Sequence, residues 1–119
     1  MIKDNRIYLQ QMLEAAQIIK SYIEPTTTIR DFYADIKTQD AIIRRMEIIG
    51  EITKRISSDL KEAYPEIMWK GMAGMRDKLI HDYDGVNYKL VWEVATKEID
   101  KLLETIPQIL EDLENKKIL

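Results

Sequence analysis

The densest run of reactive groups in this chain of 119 residues is Arg76-Asp77-Lys78-Leu79-Ile80-His81-Asp82-Tyr83-Asp84-Gly85. It holds an arginine, the sole histidine, a tyrosine and three carboxylates. A neutral imidazole near pH 7 can take a proton from a ribose 2′-hydroxyl, while a guanidinium meets the adjacent phosphate with paired hydrogen bonds as charge builds on it. That chemistry is metal-free RNA cleavage. It would leave a 2′,3′-cyclic phosphate and a free 5′-hydroxyl, and DNA, which lacks the nucleophile, would resist.

Spacing sets a condition on this chemistry. On an ideal helix Arg76 and His81 lie about 140° apart, so one unbroken helix cannot aim both at a single point, whereas Tyr83 falls nearly in line with Arg76. Either the helix unwinds before His81, or a two-fold partner presenting the same segment completes the site, and both options favour a dimeric cleft. Asp77 and His81 are four residues apart and therefore face each other, so the carboxylate could accept a hydrogen bond from one ring nitrogen and leave the other free to act. A plainer account of the same residues is a histidine on a helix C-terminal dipole, an arginine in a surface ion pair and a half-buried packing tyrosine.

Composition narrows the alternatives. The chain has no cysteine and one histidine, which excludes disulfides, thiol catalysis, cysteine-ligated zinc and the usual multi-histidine metal sites. A carboxylate-bridged metal bundle is disfavoured too, because position 78, where a Glu-x-x-His pair would need glutamate, is lysine. No metal and no cofactor are expected. The net charge of −3 argues against a broad basic groove. Residues 44–78, however, carry eight basic and six acidic side chains and are the only net-basic part. Within them Arg44, Arg45, Lys54 and Arg55 could guide RNA, although a solvated helix face explains them equally well. A 45% hydrophobic share suits one packed core, hence a single domain over residues 1–119. With 33% charged residues, no span-length apolar run and no signal-like start, a soluble, unprocessed, cytoplasmic protein is expected.

The elements that must position these groups read as helices throughout, since apolar residues recur at three- and four-residue steps and strand-like alternation is absent. The first helix is expected over Asp4 to Ile23, ended by Pro25, and a short one around Ile29 to Tyr33. Thr38 or Asp40 would cap a second long helix. Its two apolar stripes, Ile42, Met46, Ile49 and Ile56 beside Ala41, Ile48 and Ile52, suggest burial on two sides and a homodimer. Mid-helix Gly50 suggests a close helix approach near the dimer axis. Glu51 either faces the cleft or, by preference, pairs with Arg55. Ser58 or Asp59 would cap a short helix, and Pro65 would open the next, with Met68, Met72, Met75 and Leu79 in the core. Asp84-Gly85 marks a turn, Asn87 caps the last long helix, and Pro107 kinks that helix or starts a final short one. The expected architecture is an all-α up-and-down bundle of four or five helices, with Trp69 and Trp92 as packing anchors.

Arg76-x4-His81-x-Tyr83 resembles the Arg-x4-His-x-Tyr signature of the HepT-like toxins of the HEPN superfamily. Trp69, Asp84-Gly85, Trp92 and Ile49-Gly50-Glu51 are similar to that family's usual pattern, and the likeness covers roughly residues 5–110. The resemblance implies a homodimeric, metal-independent endoribonuclease toxin with Arg76 and His81 as the catalytic pair. Asp77 is then the polar residue that follows the arginine, where many relatives have asparagine, and it adds negative charge beside the phosphate site. Glu51 and Lys78 are candidate supporting residues. The resemblance also implies a small nucleotidyltransferase antitoxin that attaches AMP to the motif tyrosine, here Tyr83. The charge and bulk so added, two residues from His81, would repel and block the substrate phosphate. The alternative expectation is a catalytically inactive helical HEPN module that binds a nucleotide or a nucleotidyltransferase partner.

Overall fold

Asp4 accepts the backbone N–H of Arg6 and so caps α1, Asn5–Tyr22, where the sequence indicates. The computed structural model describes residues 4–81 and 85–115, and the side chains of Ile80 and His81 lie outside that description. Leu9, Met12, Ala15, Ala16 and Ile19 form the buried stripe of α1. Thr28 and Asp31 make a reciprocal capping box for α2, Ile29–Tyr33. The Nε2 of buried Gln39 donates to the carbonyls of Phe32 and Tyr33, which satisfies the end of α2 from the neighbouring helix.

That neighbour is α3, Ile36–Thr53, and it begins earlier than a cap at Thr38 or Asp40 would allow. Asp35 is the cap: one carboxylate oxygen accepts the Thr38 N–H and the other the Thr38 hydroxyl, so Thr38 serves as donor rather than as cap. The helix packs against α1 and also against the chain that follows it. Ile42, Ile43, Met46, Ile49 and Ile52 are buried, and each fully buried side chain of this size stabilises the fold by about 1.5–3 kcal/mol. Much of the double stripe of α3 is thus covered within one chain.

Ser57, one residue ahead of the expected caps, accepts from Leu60 N–H and opens α4, Ser58–Ala63. It also exchanges two hydrogen bonds with Asn5, tying the start of α4 to the start of α1. Pro65 does not open a helix. It lies in a turn, and helix resumes only at α5, Trp69–Ala73, which breaks at Gly74 before α6, Met75–Leu79. Met68 therefore precedes α5 and is 58% exposed, not a core residue, while Met72, Met75 and Leu79 are buried as their spacing requires. The close approach expected at Gly50 is made to α5: a Cβ there would stand 2.9 Å from the Met72 carbonyl oxygen.

After α6 the chain forms a feature absent from the helical pattern. Ile80–His81 (β1) pairs antiparallel with Gly85–Val86 (β2), Ile80 opposite Val86 and His81 opposite Gly85. Gly85 has φ +80°, which glycine adopts without a Cβ penalty. Asn87 caps α7, Tyr88–Glu93, as expected. A π turn over Val94–Glu98 then leads into α8, Ile99–Glu114. Pro107 starts no further helix; it lies inside α8, whose buried Leu102, Ile106 and Ile109 belong to the shared core. The described residues thus form three long helices, α1, α3 and α8, and five short ones around one core, in place of the four or five expected. The all-α bundle stands. Among the described residues no helix is long and apolar enough to cross a membrane.

Candidate active site

The end of α6 decides which side chains can meet. Met75 and Leu79 enter the core, and at helical spacing that turns Arg76, Asp77 and Lys78 outward, all three exposed. The helix stops after Leu79, so it unwinds before His81, the first of the two routes open to the sequence. Asp77 and His81 are consequently not joined by a helical turn, and the facing expected of their side chains lies outside the described residues. The backbone puts His81 at the end of β1 opposite Gly85. Its side chain, and the whole of Tyr83 with Asp82 and Asp84, lie outside the described residues.

Arg76 reaches across to α3, where its Nε lies 3.4 Å from Glu47 Oε2. It forms one edge of a groove of about 600 Å³ between α1, α3 and α6. Ala15, Ile48 and Ile52 contribute its apolar surface. Arg44, Arg45, Arg55 and Arg76 line it together with Glu14, Glu47 and Glu51. Arg44 lies on α3, and Arg55 follows two residues after its end. Charges of both signs line this groove, with arginine in slight excess. Such a surface can take up a chain of phosphates and still limit how tightly it holds them.

Glu51 does line this groove, but its ion pair is with Lys54 at 3.2 Å and not with Arg55. Both partners are exposed, so the pair adds little to stability. Lys54 itself is not part of the groove. Lys78 points elsewhere, into a smaller and largely apolar pocket with Gly71, Met72, Met75, Leu90 and Glu98, so Arg76 and Lys78 do not share a site. The tryptophans pack as anchors: Trp69 Nε1 donates to the Tyr64 carbonyl, and the Trp92 ring sits 5.5 Å from that of Phe32. Among the described residues no group of three or more histidine, cysteine or acidic side chains is placed to hold a metal ion.

Glu47 is the site residue that sequence reasoning missed. Its position, three residues after Arg44 and four before Glu51, puts it on the groove face of α3. Nothing in the spacing says that the partner is an arginine on another helix.

The model of the family described as Ribonuclease HepT-like matches residues 12–109. The chain belongs to this family. The match runs from α1 into α8 and includes Arg76, His81 and Tyr83. A probable ribonuclease HepT of Thermococcus cleftensis is 42% identical over 102 residues, which cover 86% of this chain and 92% of that protein. A protein of Methanocaldococcus jannaschii named as a candidate RNase is 39% identical over 114 residues, 96% of this chain and 93% of its own length. A longer protein of the same organism, named as a gamma-glutamylcyclotransferase and candidate RNase, is 45% identical over 117 residues. This chain spans about half, 52%, of that relative's length. No solved structure matches the chain. The all-α bundle is the HEPN-like architecture that the motif resemblance implies for a HepT-like ribonuclease.

Proposed function

We propose that this HepT-like ribonuclease is a metal-independent endoribonuclease toxin that cuts single-stranded RNA through Arg76 and His81. The observation that carries the reading is the arginine-lined groove with Arg76 at its edge, on the helix that leads directly into the strand bearing His81. Membership of a ribonuclease family supports it. In this scheme the neutral His81 imidazole takes the 2′-hydroxyl proton and the 2′-oxygen attacks phosphorus. The P–O5′ bond breaks, and a proton returns to the 5′-oxygen. Arg76 neutralises the charge that builds on the non-bridging oxygens, an effect that costs about 10²–10³-fold in rate when one such donor is removed. Asp77 follows Arg76 on the exposed side of α6 and tempers this positive field.

The working unit is a homodimer, in which a second copy brings its own Arg76 and His81 to a shared cleft. Tyr83 is the control point. A nucleotidyltransferase antitoxin transfers AMP from ATP to its hydroxyl, forming a tyrosyl phosphodiester and releasing pyrophosphate. The added anion then competes with substrate phosphate.

Cleavage of a labelled single-stranded RNA in the presence of EDTA tests the reading. Wild type should release fragments ending in a 2′,3′-cyclic phosphate and leave the matching DNA whole, and folded His81→Ala and Arg76→Ala variants should lose the activity. Intact RNA under all conditions would leave a binding module in place of the enzyme. Incubation with the antitoxin and ATP should add AMP-sized mass to wild type and none to Tyr83→Phe.

A further inference from the structure

Arg76 stands on a helix of five residues, and 69% of its side chain is exposed, so nothing in its own element fixes where the guanidinium points. A free arginine samples many rotamers, and a transition-state contact needs one of them. The Glu47 carboxylate touches it from α3 and is itself better held, with 26% exposure on an 18-residue helix. The contact atom is Nε. Of the five N–H donors of a guanidinium, the four on the terminal nitrogens are left for an incoming phosphate.

We infer that Glu47 is the positioning residue of the proposed cleavage reaction: its carboxylate holds Arg76 by Nε and turns the terminal nitrogens toward the groove. The role rests on the reading above, since it acts only through Arg76. Glu47 touches no reacting atom. Its charge opposes that of the phosphate, so the same contact that orients Arg76 also weakens ground-state binding of RNA. Loss of Glu47 should therefore lower turnover without weakening affinity, a split that loss of fold does not give.

The test uses the full chain as wild type, Glu47→Gln, Arg76→Ala and the double variant. Turnover and KM are measured on a short single-stranded RNA, and the Nε–H group of Arg76, assigned by its absence in Arg76→Ala, is followed by NMR without RNA. In wild type that group should be motionally restrained, and Glu47→Gln should return it to the mobility of an exposed arginine. Glu47→Gln should cut turnover about ten-fold with KM unchanged or lower, and change it less than two-fold in the Arg76→Ala background. An equal loss in both backgrounds, a raised KM at unchanged turnover, or an Nε–H as mobile in wild type as in Glu47→Gln overturns the assignment. If wild type cuts in an Arg76-dependent way and Glu47→Gln is indifferent, only the role of Glu47 falls. If wild type cuts no RNA, the nuclease reading falls and takes this role with it.

Discussion

Replacing Gly50 by alanine sets two known effects against each other at one atom. Alanine gains about 1 kcal/mol over glycine in a helix interior. The new methyl group would stand 2.9 Å from the Met72 carbonyl oxygen, a backbone atom of α5 that no rotamer change can move aside. Overpacking of this kind costs about 1–3 kcal/mol, so the net expectation is a loss of roughly 1 kcal/mol and a melting point lower by about 4 °C. Because α5 meets α6 at Gly74, the displacement should also reach Arg76, and turnover should fall several-fold at temperatures where the variant is fully folded. Thermal melts by circular dichroism and cleavage assays at 25 °C measure the two parts separately. A Gly50→Ala variant that melts higher than wild type would refute the reasoning, because the helical gain would then have met no opposing contact.

Two further outcomes follow from groups already described. Affinity for a 2′-deoxy analogue of the RNA should fall with salt along a logarithmic slope no steeper than about −2.8 for four arginines, and Arg44→Gln with Arg55→Gln should flatten it by about 1.4; an unchanged slope removes the groove from RNA binding. The buried Tyr64 hydroxyl, which donates to Asp112, is pushed up to about 12 first by burial and then by that carboxylate. Its stabilising effect is complete below pH 10 and is lost as pH rises through about 12, so wild type should lose more stability than Tyr64→Phe across that interval, and parallel alkaline denaturation profiles would exclude the link.

What could be read in advance depended on whether a signal was local. The Asn87 cap was legible because a capping side chain and the helix it starts are neighbours in sequence, and the extents of α1 and of the short helix at Ile29–Tyr33 were legible too, though not their caps, Asp4 and Thr28. The start of α3 was harder. Asp35, Thr38 and Asp40 are all capping types, and the choice among them turns on which side chain accepts and which donates. Neither the break at Gly74 nor the π turn at Val94–Glu98 leaves a mark in the apolar rhythm, since the buried residues on either side stay nearly in phase. The two-residue strands are too short for alternation to show. In the site, the motif and the face of α3 were visible, but the Arg76 to Glu47 contact is a tertiary event between residues 29 positions apart.

The step that joins fold to chemistry is the stop of α6. Arg76 and His81 would diverge if the helix went on, because a helix turns each side chain by about 100° from the last. Leu79 is fully buried, and its carbonyl accepts the Asn87 backbone N–H at 2.8 Å instead of continuing the helix. Asn87 also caps α7 with its side chain, so one residue closes the exit from α6 and opens the next helix. Between these fixed points the chain turns into a ladder with His81 opposite Gly85. Arg76 then projects from a backbone of period 3.6 and His81 from one of period 2, and the angular bar on their convergence no longer applies. A change that lets α6 run on past Leu79 should therefore restore the divergence of about 140° without touching either residue.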